Sequence, residues 1–394
     1  CIDEIKGIYK SLDSLEEPVQ VHRAQALCYG WIYMEAHDLE RIDIQMTYGQ
    51  LDTEEIRRFR ETIAREKLEK WYQDLTDKYY KWVSYQLAWR KERNASMETL
   101  EFPFPYRKGQ REMVAGVYHA ISEEAQIFIQ APTGIGKTMS AIFPAVRAVG
   151  QGKGETVFYL TARTITRTVV EDAFSILRGK GLHFKSITIT AKEKMCFCDE
   201  MDCDPQKCPY AKGHYDRIND AVYELWTKEE VFDRETILAQ AEKYSVCPFE
   251  MTLDLAVWMD GIVCDYNYAF DPNVYLKRFF GENIKGKYLF LIDEAHNLVD
   301  RGREMYSAAL CKEEIESTHR FVRSYSNRLY RMLGKAAKQL EVLKEESSSS
   351  WQVLENAGTL PVTLLSIQGE MDKLLEEPPS QEFVDGILEF YFAV

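Results

Sequence analysis

The sequence has no apolar run near the ~18 residues that cross a bilayer, and no basic-then-apolar leader opens it. Basic residues are also in deficit, since 49 Lys and Arg face 63 Asp and Glu, a net charge of -14. The first absence predicts a soluble cytoplasmic protein with no membrane partner. The second argues against nucleic acid as a partner, because phosphates are bound by Lys and Arg. Local basic runs could still line a groove on an otherwise acidic protein.

Paired Cys-x-x-Cys knuckles, which are typical of structural zinc, are absent from a chain that has nine cysteines. In a cytosolic protein, cysteines favour a metal over disulfides. Irregularly spaced thiolates fit an iron–sulfur cluster better than zinc. By contrast, Cys28, Cys264 and Cys311 are expected to be buried like small apolar side chains. Five of the nine fall in one polar stretch: Cys196, Cys198, Cys203, Cys208 and Cys247.

A phosphate-binding loop is present at residues 131–138. The apolar segment Gln126–Gln130 predicts a strand that leads into a Gly-containing turn, and a helix is predicted from about Lys137. Small residues let backbone N–H groups close around phosphates, while Lys137 reaches the β/γ oxygens and Thr138 offers a hydroxyl to Mg²⁺. The predicted ATP-binding residues of the loop are Ala131, Pro132, Thr133, Gly134, Ile135, Gly136, Lys137 and Thr138.

A carboxylate pair, Asp293 and Glu294, follows a second predicted strand at Lys287–Ile292. Asp293 can hold Mg²⁺, and Glu294 can position the attacking water. A glycine turn and an exposed acidic cluster would not explain why both motifs occur in order after strands. The two motifs together therefore predict a nucleotide triphosphatase with Lys137, Asp293 and Glu294 as its catalytic residues.

The rest of the chain predicts an α/β protein of two to four domains, because 45% hydrophobic and 12% aromatic residues support true cores. From Tyr106 onward, strand and helix signals alternate as in a parallel sheet. Trp71, Trp82 and Trp89 recur at helical spacing before this region and are expected to pack into a core. Past about residue 305 the pattern is helical, interrupted by the serine run 347–350 and by Pro378-Pro379.

The order of phosphate loop, cysteine cluster and Asp293-Glu-Ala-His296 resembles the XPD/DinG family of superfamily-two helicases. Cys208-Pro-Tyr, Cys247-Pro-Phe and Cys264-Asp-Tyr-Asn-Tyr-Ala-Phe-Asp-Pro272 look like its bacterial DinG-like members. The resemblance implies a RecA-like parallel-sheet motor with an iron–sulfur insertion and a helical arch insertion, preceded by an α/β nuclease remnant. The implied segments are a nuclease-like part at 1–52, a helical linker at 53–98, the motor at 99–190 and 251–305, the iron–sulfur domain at 191–250 and the start of the arch at 306–394.

Site residues also follow from this resemblance. A [4Fe-4S] cluster would be held by Cys196, Cys203, Cys208 and Cys247, with Cys198 able to replace Cys196. Gln110 would contact adenine. Thr161, Arg163 and Thr164 would contact the DNA backbone, where hydroxyls and an Arg suit phosphate oxygens. The implied partner is single-stranded DNA, on which the motor would move 5′→3′ in repair or replication; protein partners are not indicated. Arg163, Arg167 and Lys185 are expected to line its groove.

The opening residues resemble the back half of a RecB-like PD-(D/E)XK nuclease. Glu4 and Lys6 share one face of a predicted strand, and Gln25 and Tyr29 lie one turn apart on a following helix. In such nucleases the carboxylate binds Mg²⁺ and the lysine stabilises the charged transition state. The aspartate that completes the metal site is missing upstream, so the remnant is not expected to cut DNA.

The chain is expected to be a piece of a longer protein, since it begins at Cys1 and stops at Val394 within an apolar helical pattern. In the resembled family a second motor domain follows, so nucleotide binding with little turnover is expected here. Two alternatives stay open: a nucleotide-switched DNA-binding scaffold, and a nuclease-led repair protein with an accessory motor. A water-positioning Glu294 disfavours the switch, which would have no use for it.

Overall fold

The computed structural model describes residues 1–9, 11–132, 134–162, 164–345 and 355–394, with only the backbone at 164–165. It forms two compact units. Unit 1 comprises Cys1–Asp265 and Lys277–Asp293, and unit 2 comprises Tyr266–Leu276 and Glu294–Val394. The serine run at 347–350 lies outside the described residues. Across those residues, every helix is too short or too polar to traverse a membrane.

The N-terminal part of unit 1 is a three-stranded sheet covered by a helix. The elements are β1 (Ile2–Ile8), α1 (Gln20–Ala36), β2 (Arg41–Gln50) and β3 (Ile56–Ala64). β1 runs parallel to β2, and β2 runs antiparallel to β3. Alternate apolar residues of β2 are buried against α1, as the two-residue period of a strand requires.

The expectation of a wholly helical segment at 53–98 is wrong in its first part. Residues 56–64 form β3, which pairs with β2 in the same sheet. Its exposed and half-buried residues alternate, as expected for a strand with one solvated face. Only α2 (Arg65–Glu98) is helical. Its first turns pack Leu68 and Trp71 on the sheet core, and its last turns bury Trp89 and Met97.

The core expected for the tryptophans is confirmed. Trp82 lies with its ring centroid 4.9 Å from Trp258 and 5.7 Å from Trp226, and Trp89 is buried. These contacts join α2 to residues 99–305, which are called the motor region below after the resemblance. The helix α2 is therefore a packed part of unit 1 and not an exposed spacer.

The motor region is a five-stranded parallel sheet of order β6-β5-β7-β4-β8, which confirms the α/β prediction. Strand β4 is fully buried, as expected for a central parallel strand. The helix α4 packs on it through Ile142, Phe143 and Val146. The elements are α3 (Gln110–Ser122), α4 (Lys137–Gly150), β4 (Thr156–Leu160), α5 (Thr164–Arg178), β5 (Ser186–Thr188), α6 (Lys192–Met195), α7 (His214–Lys228), β6 (Val231–Phe232), α8 (Arg234–Tyr244), α9 (Pro248–Ala256), β7 (Gly261–Cys264), α10 (Asn267–Phe270, in unit 2), α11 (Lys277–Phe280) and β8 (Tyr288–Ile292).

The strand predicted at Gln126–Gln130 does not form. This segment is irregular, and its apolar side chains are exposed, with Phe128 at 89%. A short apolar run is consistent with a strand but does not specify one, and this segment pairs with no described strand. Here β8 pairs with β4 alone and ends the sheet.

The cysteine-rich segment also contributes to the sheet. Its strand β6 pairs with β5 through Val231 and Phe232, so residues inside the stretch expected to be an insertion form the far edge of the motor sheet.

Unit 2 is helical, which confirms the helical pattern past residue 305. Its longer helices are α12 (Leu298–Met305), α13 (Lys312–Phe321), α14 (Asn327–Glu345), α15 (Leu360–Glu376) and α16 (Gln381–Ala393). Pro378 and Pro379 separate the last two, as predicted. One apolar core, which includes Leu333, Ile367 and Phe383, joins α13 to α16.

Candidate nucleotide and nucleic-acid site

The glycine loop enters α4 at Lys137, which confirms the predicted helix start. Gly134 and Gly136 have φ angles of 83° and 84°, a left-handed conformation that only glycine adopts without strain. Gly136 is the N-cap residue of α4 and has no side-chain cap. The N–H groups of a first helical turn, together with the helix dipole, favour an anion at this end of a helix. Thr133 lies outside the described residues, and Ala131, Pro132, Ile135 and Thr138 lie on the loop and the first turn.

Gln110 lies directly against this loop. It is 3% exposed, and its Oε1 accepts a hydrogen bond from the Arg107 backbone N–H at 3.0 Å. A Cβ on Gly136 would come within 2.8 Å of Gln110 Nε2. The Arg107 guanidinium donates to the Gly134 carbonyl. The structure therefore brings Gln110 and the loop together, and it adds Arg107, whose role sequence reasoning missed.

Three polar residues follow three neighbouring strands at one edge of the motor sheet. Thr161 follows β4, Asp265 follows β7 and Asp293 follows β8. Because these strands are parallel, their carboxyl ends share this edge, where ligands of α/β sheets bind. Backbone hydrogen bonds of 3.0 Å join Thr161 to Cys264 and Asp293 to Leu160.

Glu294 has an unusual backbone. Its φ of 49° and ψ of 46° lie in the left-handed region, which costs a non-glycine residue roughly 1–2 kcal/mol. Its carbonyl accepts hydrogen bonds from Tyr266 Oη at 3.3 Å and from the Asn297 backbone at 2.9 Å. His296 Nδ1 lies 3.4 Å from its carboxylate. Unit 2 thus holds the second carboxylate of the motif in a defined conformation, with Tyr266 and Asn297 as supports that the sequence alone did not identify.

The predicted DNA-contacting residues are placed unequally. Thr161 is buried, Arg163 lies outside the described residues, and only the backbone of Thr164 is described. Arg167 donates to the Ile189 carbonyl at 3.4 Å and lies 4.0 Å from Asp265. The expectation that Lys185 lines a groove is wrong, because its side chain is buried.

Lys185 instead belongs to the core under α2. Its ammonium donates to the Trp226 carbonyl at 2.7 Å and to that of Glu229, and lies 4.2 Å from the Trp89 ring centroid. Burial lowers the pKa of Lys185 to about 8. A lysine in a basic run is expected at the surface, but aromatic rings and backbone carbonyls take the place of water around the Lys185 ammonium inside the protein.

The five clustered cysteines lie in two neighbouring groups. Cys198 contacts Cys208 and Cys196; burial, then these thiols, raise its pKa to about 11. Lys192 lies near Cys203 and Cys247, and Cys203 raises the pKa of Lys192. All five are free thiols. Their donor chemistry fits a thiolate-bound cluster, although in the described residues no three or more Cys, His, Asp or Glu side chains converge on one point.

The three cysteines outside the cluster that are expected to be buried differ in their exposure to solvent. Cys264 on β7 is buried, and burial raises its pKa, as expected for a core thiol. Cys28 is half-buried, and Cys311 is exposed, so the core prediction is wrong for Cys311. It precedes α13, where its side chain and Glu314 form a capping box.

The predicted nuclease-type residues come together on the N-terminal sheet. Lys6 Nζ lies 2.8 Å from Glu4 Oε1 on β1 and donates to Gln25 Oε1 on α1 at 3.0 Å. Gln25 Nε2 donates to Tyr29 Oη at 3.2 Å. Because β1 and α1 are separate elements, only their packing creates this chain of polar contacts.

Two sequence families match the motor region. The family DEAD/DEAH box helicase matches residues 107–230, and the family DEAD_2 matches residues 183–315. The phosphate loop falls in the first match, and Asp293 and Glu294 fall in the second. Residues 107–315 are therefore similar in sequence to these two helicase families.

Curated relatives agree with this match. Regulator of telomere elongation helicase 1 from Bos taurus is 22% identical over 327 residues, which are 70% of this chain and 26% of that protein. Fanconi anemia group J protein homolog from Gallus gallus is 31% identical over 96 residues, 24% of this chain and 7% of that protein. The chain thus spans about a quarter of the length of the first relative.

Among solved structures, one titled XPD_Helicase covers 73% of this chain and 51% of its own chain, with 18% identity and a TM-score of 0.44. Another, titled Truncated XPD, covers 71% of this chain and 81% of its own, with 19% identity and a TM-score of 0.43.

Proposed function

We propose that this chain carries the first motor domain of an ATP-hydrolysing DNA helicase of the XPD/DinG type. The single observation that carries the proposal is the glycine loop, whose two left-handed glycines open α4 at Lys137 within the helicase-matching region. By this proposal the protein acts in DNA repair, moves 5′→3′ and binds single-stranded DNA at the carboxyl edge of the motor sheet.

In the proposed mechanism the loop N–H groups bind the phosphates of ATP and Lys137 places its charge at the β/γ oxygens. Thr138 and Asp293 would hold Mg²⁺, which neutralises phosphate charge when bound. Gln110 would contact adenine, a position supported by its burial against Gly136. Glu294 would orient the attacking water, so that hydrolysis needs its carboxylate and nucleotide binding does not.

Two substitutions test this division of roles. Lys137→Ala should weaken binding of a fluorescent ATP analogue at least about tenfold, the loss of one charge-assisted contact. Glu294→Gln should leave binding within about twofold and, in the full-length protein, abolish DNA-stimulated phosphate release, since an interaction made only in the transition state is lost. Unchanged nucleotide binding in Lys137→Ala, at an unchanged melting temperature, would overturn the assignment.

We also propose a [4Fe-4S] cluster on Cys196, Cys203, Cys208 and Cys247, with Cys198 as the alternative to Cys196. Five free thiols in one region support it. Since the five thiols form two groups, binding of one cluster by four of them would require the loop between Cys196 and Cys208 to rearrange. Protein purified without oxygen should contain about four irons per chain. Cys208→Ser should lower the iron content, and the exposed Cys311→Ser is the matched control. One zinc per chain without iron would contradict the cluster.

A second proposal concerns the N-terminal sheet, which we interpret as part of a PD-(D/E)XK nuclease-type fold. The contacts of Lys6 with Glu4 and Gln25 favour this reading. Among the described residues Glu4 is the one carboxylate that pairs with Lys6, and a nuclease of this type needs a second acidic ligand for Mg²⁺, so the chain should leave supercoiled DNA intact with Mg²⁺. Cleavage that Lys6→Ala removes would show that the site is active and would contradict this expectation.

A further inference from the structure

The first turn of α7 lies between two of the clustered cysteines along the chain. The helix α7 begins at His214, shortly after Cys208. The helix α8 ends at Tyr244, shortly before Cys247. His214 and Arg217 are three residues apart, so they lie on one face of α7. Both side chains contact the segment that leads to Cys247, and neither has a role in the sites described above.

The Arg217 guanidinium binds the C-terminal end of α8. Its Nε donates a hydrogen bond to the Tyr244 carbonyl at 2.9 Å, and its Nη2 donates to the Ser245 carbonyl at 2.6 Å. Tyr244 is the last residue of α8, and Ser245 is its C-cap with a left-handed φ of 53°. The last carbonyls of a helix have no partner inside the helix, and a guanidinium with several N–H groups satisfies them well. Arg217 therefore fixes the chain directly before Cys247.

The same guanidinium holds the turn that follows Cys208. Arg217 Nη2 also donates to the Lys212 carbonyl at 2.8 Å. The backbone N–H groups of Lys212 and Ala211 donate in turn to the Cys208 carbonyl at 3.1 and 3.2 Å. One cation thus joins the turn after Cys208 to the loop before Cys247, although the two cysteines are far apart in sequence.

His214 holds Cys247 directly. His214 is 4% exposed, and its Nδ1 accepts a hydrogen bond from the Cys247 backbone N–H at 3.2 Å. With Nδ1 as the acceptor, the neutral ring carries its proton on Nε2, which lies 3.9 Å from the Asp254 carboxylate on α9. The imidazole therefore lies between the backbone of Cys247 and the helix that follows it.

The backbone after Cys247 is also fixed. Cys247 is the N-cap of α9, and its carbonyl accepts a hydrogen bond from the Met251 N–H at 2.9 Å. Pro248 is the first residue of the helix, where the ring of a proline sets φ in advance. By contrast, residues 196–207, all of them described, contain no helix or strand. The cysteine segment therefore has an anchored part, around Cys208 and Cys247, and an irregular part that carries the other three thiols.

We propose that His214 and Arg217 are positioning residues for the [4Fe-4S] cluster. They hold Cys208 and Cys247 at a set spacing before iron arrives, and the irregular chain at 196–207 closes on this pair. This role rests on the proposed function, because a fixed pair of thiols matters only where metal is bound. Residues that orient metal ligands without touching the metal typically change metal affinity by about 10–100-fold when they are removed.

Iron retention tests this role in the whole chain purified without oxygen. Arg217→Met removes the hydrogen bonds of the guanidinium, and His214→Phe keeps a buried ring but removes the acceptor. Each variant should lose iron to excess chelator at least about tenfold faster than the wild type, measured by the decay of the cluster absorbance. His214→Asn, whose side-chain oxygen can accept the Cys247 N–H, should restore a rate within about threefold of the wild type.

Arg178→Met is the matched control, because the Arg178 guanidinium also binds a carbonyl, that of Phe184, through Nε and Nη2 at 3.0 and 2.9 Å. Phe184 precedes β5 and lies outside the cysteine segment. Arg178→Met should lower the melting temperature as Arg217→Met does, and yet lose iron at the wild-type rate. Circular dichroism reports folding, and Arg217→Lys, which keeps one donor group, replaces Arg217→Met if that variant does not fold.

A second measurement needs no iron. In the iron-free chain, iodoacetamide should alkylate Cys247 at least about threefold faster in Arg217→Met and His214→Phe than in the wild type, because a half-buried thiol reacts more readily once its backbone is released. The exposed Cys311 should react at one rate in all of these proteins, as mass spectrometry of the peptides measures.

Unchanged alkylation of Cys247, or iron loss in both variants no faster than in Arg178→Met, would overturn the positioning role and leave the cluster proposal standing. A wild type that contains no iron would overturn the cluster, and the positioning role with it.

Discussion

At the scale of single residues, three backbone positions in the two proposed nucleotide motifs have a left-handed conformation. Gly134 and Gly136 take left-handed φ angles in the loop, and Glu294 takes one with a side chain attached. The glycines adopt this conformation freely, whereas Glu294 is held there by hydrogen bonds from Tyr266 and Asn297. The residue whose carboxylate is proposed to act on water is therefore one of the non-glycine residues with a strained backbone.

Gly136→Ala should weaken ATP binding by about tenfold or more. The new Cβ would stand 2.8 Å from Gln110 Nε2, and the left-handed backbone would cost roughly 1–2 kcal/mol. Binding of a fluorescent ATP analogue measures the effect. Gly302→Ala is the matched control, since a Cβ at Gly302 meets no atom within 4 Å. Wild-type affinity in Gly136→Ala would show that the loop geometry does not govern binding.

Lys185→Met should change how stability depends on pH. The folded pKa of Lys185, about 8, lies below the ordinary 10.5, so the unfolded chain binds more protons between these values. Burying the charged amine therefore penalises the wild type fully below pH 8, and the penalty is lost as pH rises to about 10.5.

Relative to wild type, Lys185→Met should then be most favoured near pH 7 and lose this advantage up to pH 10.5. Urea unfolding across that range measures the difference between the two proteins. A constant difference would mean that Lys185 titrates alike in the folded and unfolded chains.

At the scale of elements, α2 joins the N-terminal sheet to the motor sheet. Near the C-terminal end of α2, Trp89 Nε1 and Arg93 Nη1 donate hydrogen bonds to the Asp260 carboxylate at 2.9 Å and 2.6 Å. All three side chains are buried. Arg147 on α4 donates to the Met97 and Leu100 carbonyls, satisfying backbone groups where α2 ends. The helix that begins at the phosphate loop thus ends against α2.

Arg93→Met should lower the free energy of unfolding by about 3–5 kcal/mol, because it leaves the Asp260 carboxylate buried without its cation. Urea unfolding measures this loss, and Arg93→Met/Asp260→Asn should lose clearly less than the sum of the single changes. Lys81→Met, which removes the exposed 3.7 Å pair with Asp220, should cost about 1 kcal/mol or less. Similar losses in Arg93→Met and Lys81→Met would mean that the buried pair contributes little.

At the scale of the whole molecule, charge and core are distributed independently. Acidic residues dominate the total, yet positive charge collects on α13–α14, and at cellular salt a charge acts over about 8 Å only. The net charge of the protein therefore predicts little about what a local surface such as that of α13 and α14 can bind. Core formation likewise crosses the expected domain limits, since Met97 of the expected linker belongs to the same core as Val146 and Val157.

A chain that starts at residue 65 should stay monomeric and bind ATP, whereas one that starts at residue 99 should aggregate or melt many degrees lower. The shorter chain loses Trp82 and Trp89 and so exposes Trp226, which is fully buried. Gel filtration and thermal melting compare the two chains. A well-folded chain from residue 99 would show that α2 is dispensable to the motor.

Local signals in the sequence determined several features correctly. Glycines at fixed spacing before an amphipathic run located the start of α4, and the apolar run at Lys287–Ile292 located β8. The tryptophan spacing identified the buried face of α2. These features depend on residues near in sequence, whose conformational preferences and periodicity act without reference to the rest of the fold.

Tertiary structure alone decided the others. Gln126–Gln130 has strand-like composition but pairs with no described strand, and Lys185, whose residue type is usually exposed, is buried beneath aromatic rings that include Trp89 of α2. Lys6 contacts Gln25 only because α1 packs on β1. The groove between α13 and α14 likewise exists only because α14 folds back on α13. In each case the partner lies far along the chain or on a separate element, so the energy of the contact is absent from any local stretch of sequence and arises only when the elements pack.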